Sequence, residues 1–269
     1  MNISSMVVKK TARTALKGNY FKGVVASTII AFVWIVLSVC ASYAGTFAGI
    51  AVANLAFILF LMFLMIPLIL GFVYFSVRLI FSNDCDPVTV VKYFSNRRDY
   101  FKALKLSLTL TGNMLFYSFV FFLPVAICNY VASGEFFKTL GMQIPVWASG
   151  VWVVSYILRI LATVLFINVM LKFYLAPFLI SANEDMDPFE ALHISKTIAF
   201  ASKREFIFLI LSFALYIIAC VFVLPLIFIF PYFAVAYAVH CRYAVAEYNK
   251  NVDKTNSNNA PSFEASISF

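Results

Sequence analysis

An all-α, polytopic membrane fold is what this sequence predicts, and three observations predict it. Hydrophobic residues make up 63% of the chain and charged residues 12%, with a mean hydropathy of +0.94; one water-soluble core cannot hide that much apolar surface. The apolar residues gather in runs of about 20 or more, the length a helix needs to cross hydrocarbon. No strand-length alternation of the outer-membrane barrel kind repeats along the chain, so helices, which satisfy their own backbone hydrogen bonds, are the spanning elements.

The elements follow in chain order. Val8, Ala12, Ala15 and Leu16 recur at helical spacing while Lys9, Arg13 and Lys17 recur every four residues on another face. That pattern predicts a basic amphipathic helix lying at the membrane surface. The apolar runs then supply six spans, roughly residues 24–44, 54–80, 104–131, 149–176, 206–223 and 226–246. "LSVC" at 37–40 faintly resembles a lipoprotein box, but Val39 stands where a small residue is required and the run is of spanning length, so a retained helix is expected. Short turns at 45–54 and near Pro225 close hairpins, and charged segments at 1–22, 82–103 and 181–205 separate them.

Two of those segments open alike, with "CDPVTVVKYF" and "MDPFEALHIS". Asp86 and Asp187 are placed to cap a helix with Pro87 and Pro188 at its first position, and Glu190 falls where a capping box requires it. The spans are entered through similar letters: Tyr20, Phe21 and Lys22 in "NYFKG", Tyr100, Phe101 and Lys102 in "DYFKA", and Phe206 in "EFIFL". These read as membrane-interface residues, rings at headgroup level and the lysines reaching phosphate. Surface helix, turn, aromatic pair and hairpin recur together. The prediction is therefore three parallel hairpin repeats, about 5–80, 86–180 and 187–248, each preceded by a cytoplasmic interfacial amphipathic helix. They form one six-helix domain, 1–248, followed by a polar cytoplasmic tail, 249–269, expected to be disordered. Apart from Lys138 in an outer loop and Arg159 in a span, Lys and Arg gather on the side of the two termini, which the positive-inside rule assigns to the cytoplasm.

Signatures of chemistry are missing. No GxSxG, HExxH, P-loop or GxGxxG pattern occurs, and the two histidines, His193 and His240, read as interfacial side chains. Asp84, Asp86, Glu184, Asp185 and Asp187 are accounted for by capping and by pairing with nearby cations. The five cysteines lack any CxxC spacing and read as buried free thiols. No catalytic residue, metal or cofactor is expected. Arg159 is the most informative residue in a span, since a cation at the bilayer centre costs about 2.5–3.5 kcal/mol on insertion scales. Trp147 and Trp152 read as outer anchors of its helix and Lys172 as the inner one. Ser155, Arg159 and Thr163 at four-residue spacing, with Asn113, Ser107 and Thr111 on the preceding helix, suggest a polar cleft for an anionic headgroup or peptide carboxylate; snorkelling with interhelical hydrogen bonds is the structural alternative.

"TARTALKGNYFKG", "DMDPFEALHISKTIAFASKREFIFLILSF" and "PYFAVAYAVHCRY" together resemble family 975 of the domains of unknown function, multi-span proteins found mainly in low-GC Gram-positive bacteria. The resemblance runs to about Tyr248, with Ala214, Leu215 and Tyr216 departing from a Gly-Trp-like pair after Phe213. It is looser to the membrane portion attached to some glycerophosphodiester phosphodiesterases, whose enzymatic domain has no counterpart here. The resemblance implies a fold and a bacterial plasma membrane but no activity. The expected function is a non-enzymatic membrane module that binds anionic lipid, peptide or a partner protein in the membrane, in transport, export or self-protection, and no nucleic acid. The alternatives are a secondary transporter or channel, which would call for paired intramembrane acid and base, and a lipid-headgroup-modifying enzyme, which would need a nucleophile, base or metal cluster.

Overall fold

A helix that is apolar on every face belongs inside a bundle, and Ile66–Ser82 is such a helix, with Pro67, Leu68, Leu70, Gly71, Phe72, Val73, Tyr74, Phe75, Ser76, Val77 and Leu79 all buried. The computed structural model describes residues 4–82, 86–139, 141, 143, 147, 150–214, 216 and 223–256. In order the helices are α1 (Ser5–Leu16), α2 (Tyr20–Ala48), α3 (Ile50–Phe60), a π turn (Leu61–Met65), α4 (Ile66–Ser82), a 3₁₀ turn (Pro87–Val91), α5 (Lys92–Ser95), α6 (Arg97–Ala132), α7 (Glu135–Thr139), α8 (Val151–Met170), α9 (Ala176–Ala182), α10 (Pro188–Ser212) and α11 (Val223–Asn256). They form two compact units, residues 1–108 with 174–269, and residues 109–173. Helix α6 leaves the first unit after Leu108 and continues through the second.

In the first unit α4 is surrounded by α11, the 3₁₀ turn and α9. Phe72 stacks on Phe230 of α11 at 4.8 Å. The 3₁₀ turn approaches so closely that a Cβ on Gly71 would lie 1.8 Å from the Val90 carbonyl oxygen; only glycine admits backbone there. Helix α2 meets α11 in the same way, a Cβ on Gly23 falling 2.9 Å from the Pro231 Cβ. Helix α1 packs on α11 and buries Val8, Ala12 and Leu16, so its apolar face rests on protein.

Five helices among the described residues are long and apolar enough to cross a membrane: Tyr20–Tyr43, Ala51–Ser82, Arg97–Ala132, Val151–Met170 and Ile227–Val252. The fifth expected run, 206–223, begins inside α10; residues 215 and 217–222 lie outside the described set. A turn was also expected at 203–205, yet α10 runs through it unbroken. The reason is local: Gly18 adopts φ +90° between α1 and α2 and Asn96 is extended between α5 and α6, whereas Lys203, Arg204 and Glu205 are all compatible with helix. Residues 249–256, expected in the disordered tail, extend α11 to Asn256, since adding residues to a formed helix avoids a new nucleus; residues 257–269 lie outside the described set. Asp86 and Asp187 accept from the Val88 and Phe189 amides at 3.0 and 3.1 Å, as expected of N-caps ahead of Pro87 and Pro188, while Glu190 is exposed. Cys241 is buried, Cys128 half-buried and Cys40 exposed, the last against expectation; Cys85, Cys220 and Asp84 lie outside the described residues.

Gly71→Ala forces α4 and the 3₁₀ turn apart and should cost about 1–3 kcal/mol. Gly112→Ala, whose Cβ would meet nothing within 4 Å, should be neutral or slightly stabilising. Thermal unfolding of both variants in detergent checks this; equal melting temperatures would contradict the close packing.

Candidate functional site

A proline inside an apolar helix leaves the carbonyl four residues back without its N–H donor, and in hydrocarbon an unpaired carbonyl is expensive. Pro67 does this to Phe63, and the Tyr100 hydroxyl donates to the Phe63 carbonyl at 3.1 Å. Pro231 does the same to Ile227, and the Tyr20 hydroxyl donates to the neighbouring Phe228 carbonyl at 2.6 Å. The two tyrosines of "NYFKG" and "DYFKA" thus each meet a helix beside its proline, and the Tyr100 bond falls on the carbonyl that the proline leaves open. Phe206 has no hydroxyl and is buried, unlike Phe21 and Phe101, which are exposed; it stacks at 4.1 Å on Tyr174, three residues before Pro177. Lys22 lies beside Phe21 at the start of α2, and Lys102 donates to the Glu184 carbonyl.

The acidic stretch 184–187 is met by cations of the second charged segment. Lys92 pairs with Glu184, which also accepts from the Tyr74 hydroxyl at 3.0 Å, and the Lys92 ammonium sits 3.8 Å over the Tyr74 ring. Arg98 lies 3.5 Å from Asp185 and Lys105 2.8 Å from Asp187. Lys92 is the main reason the Glu184 carboxyl is held below its ordinary value; Lys105 does the same for Asp187. Burial pushes the nearby Tyr93 phenol up to about 12.

His240, expected at the interface, is buried under Phe206 and Tyr174; His193 is exposed. Ser202 spends its proton on the Ile198 carbonyl at 2.9 Å, so the Tyr174 hydroxyl donates to Ser202 at 2.7 Å and accepts from His240 Nε2 at 3.2 Å.

In the second unit the four residues expected to line a cleft do not converge. Ser155 is buried and donates to Asn129. Arg159 is exposed, 5.7 Å over the Tyr156 ring. Thr163 donates to the Arg159 carbonyl at 2.8 Å, and Asn113 to the Thr109 carbonyl at 2.7 Å, each within its own helix. The cause is the helical period: four residues overshoot a turn by about 40°, whereas seven fall short of two turns by about 20°, so Ser155 shares its seam with buried Ala162 while Arg159 and Thr163 rotate away. Trp147 and Trp152 are exposed. The buried Ser107 hydroxyl, in the first unit, has no partner among the described residues.

Cavities open on the described residues of the first unit, among them one of about 320 Å³ between Ser38, Gly45, Asn54 and Phe57 and two larger ones. One, about 770 Å³, runs along α2, α4 and α11 between Ile30, Trp34, Met65 and Phe230; its serines, Ser27 and Ser38, both donate to their own helix at 2.9 Å, leaving an apolar wall. The other, about 630 Å³, lies where α1 and α2 meet α11 and is framed by Arg13, Lys17, Tyr20, Tyr216 and Tyr232, with Leu16, Phe228 and Ile229 behind them. Nothing in the sequence pattern joined Tyr216 and Tyr232 to Arg13; the link is a long-range contact between the chain's two ends. Lys9, one turn before Arg13, donates to the Ser212 carbonyl at 2.5 Å and lies 4.4 Å over Phe213, closing the end of α10.

A family model described as "Protein of unknown function (DUF975)" matches residues 1–246. No curated protein and no solved structure matches the chain.

The Glu184 pairing stabilises the fold above the unfolded-state carboxyl value, about 4.3, and is lost as the pH falls through the lower folded-state value. Its side chain is 61% exposed, so Glu184→Gln should cost only about 0.2–1 kcal/mol at neutral pH. Unfolding curves of the variant and the parent should converge on acidification; equal stability at neutral pH would contradict the pairing.

Proposed function

The chain belongs to this family of unknown function, and we propose that it is a non-enzymatic plasma-membrane module of a bacterium, with both termini cytoplasmic, that holds anionic lipid at its N-terminal face and serves a peptide or partner protein in the membrane, in transport, export or self-protection. The observation that carries the reading is an asymmetry of charge compensation. The second charged segment is neutralised by Glu184, Asp185 and Asp187. In the first segment no carboxylate precedes Asp84 in the sequence, and Lys10, Arg13 and Lys17 form no ion pair among the described residues. Each such cation near an anionic leaflet contributes about 1 kcal/mol of attraction.

The architecture of this reading is three copies of one hairpin unit, the third contributing a sixth span. Support comes from the proline contacts: the aromatic residue opening each unit meets the second helix of the preceding unit beside its proline. Tyr100 does so at Pro67, Phe206 at Pro177 and Tyr20 at Pro231, which returns the series to its start. The surface elements follow the same order, the 3₁₀ turn on α4, α10 on α9 and α1 on α11. Tyr20, Phe21, Tyr100 and Phe101 then stand at the headgroup layer, with Lys22 and Lys102 beside them, and Arg159 extends along its exposed face toward the outer headgroups.

Electron paramagnetic resonance of the reconstituted protein with spin-labelled phosphatidylglycerol or phosphatidylcholine tests the reading. A larger motionally restricted fraction for phosphatidylglycerol, shrinking as salt screens the attraction, is expected. Equal fractions for the two lipids would refute it, and peptide or ion flux through liposomes holding this protein alone would replace it with a transporter.

A further inference from the structure

We infer that the 630 Å³ cavity at the junction of α1, α2 and α11 is a binding site for the phosphate headgroup of an anionic phospholipid. The inference rests on the proposed function and names the site at which that lipid is held.

Arg13 in the last turn of α1 and Lys17, the residue that ends it, line the cavity together. A guanidinium and an ammonium so placed match the oxygens of one phosphate, Arg13 offering its planar fork and Lys17 a point charge. The Tyr232 hydroxyl lies beside the guanidinium. Behind it, Tyr232 is fixed in turn by the Lys9 carbonyl, to which it donates at 3.4 Å. Among the described residues no carboxylate lines the cavity, in contrast to Lys92 and Lys105, which pair with Glu184 and Asp187.

The far wall selects the kind of phosphate. Leu16, Phe228, Ile229 and the rings of Tyr20 and Tyr216 turn an apolar surface to the cavity, and Phe228 and Ile229 belong to a helix apolar enough to span the bilayer. A soluble phosphate would leave those walls against water, whereas a phospholipid covers them with its glycerol and the roots of its chains. Gly18 shapes the rim: at φ +90° it turns the chain from α1 into α2, and the space where its side chain would stand is empty. The Tyr20 hydroxyl, engaged at Phe228, ties α2 to α11 beside the opening.

The test uses the full chain in detergent with short-chain phosphatidylglycerol and phosphatidylcholine as probes, and inorganic phosphate as competitor. The parent should bind phosphatidylglycerol in preference, and Arg13→Gln with Lys17→Gln should weaken that binding by about tenfold or more. Arg97→Gln with Lys250→Gln, the same charge change at exposed residues away from the cavity lining, should stay within about twofold, and inorganic phosphate should not displace the lipid. A photo-reactive phosphatidylglycerol added to the parent protein should label Lys17 or Tyr216, a readout that needs no variant to fold. Preference for phosphatidylglycerol with labelling elsewhere, or undiminished in the double variant, would overturn the site and leave the proposed function standing. No preference in the parent would overturn both, and displacement by inorganic phosphate would make the cavity a site for soluble phosphate instead.

Discussion

A carbonyl stripped of its donor inside an apolar helix must find another, and at Phe63, four residues before Pro67, the Tyr100 hydroxyl supplies it. A second hydroxyl, that of Tyr20, meets the Phe228 carbonyl three residues before Pro231; these prolines lie in α4 and α11, two helices that pack against each other in the first unit. The donors come from outside those helices, as the Tyr100 and Tyr20 hydroxyls. Each bond fixes where a new helix begins relative to an earlier one, which a purely apolar contact between helices in lipid does not do, since hydrocarbon competes equally for apolar side chains. Around those fixed points most of α4 is buried, and Gly71 lets the 3₁₀ turn rest on its backbone.

The charged segments divide the work. The second and third neutralise one another, tying the start of α6 to the start of α10 through Lys102, Lys105, Glu184 and Asp187. The first holds α1 on α11 by burying Val8, Ala12 and Leu16; its Lys9 closes the end of α10, while Arg13 and Lys17 line the cavity.

What was legible in the sequence was local. The Asp-Pro starts, the α1 pattern and most of the apolar runs depend on neighbours within a turn or a span, and the family likeness was carried by equally short motifs. The repeat of "NYFKG" in "DYFKA" was visible too, but its chemistry was not, because Tyr20 and its acceptor lie 208 residues apart. Read alone, a tyrosine beside lysine at a span's edge is an interfacial ring; its hydroxyl acquires a task only when a proline-broken helix is laid against it. Phe206 shows the converse, an aromatic in the expected place that lacks the hydroxyl and is buried in a ring stack. The expected cleft at Arg159 failed for a different reason. Four-residue spacing was taken for a common face, and over Ser155, Arg159 and Thr163 the accumulated rotation carries the cation off the seam.

The central claim is that Tyr100 serves the carbonyl that Pro67 leaves open, and a double-mutant cycle on those two residues tests it most directly. Tyr100→Phe keeps the ring and removes the donor, which in lipid should cost about 1–3 kcal/mol. Pro67→Ala restores a backbone N–H to the Phe63 carbonyl, so in that background the cost of Tyr100→Phe should fall close to zero, a coupling outside the additive range for independent sites. The same cost in both backgrounds, or none in either, would contradict the account.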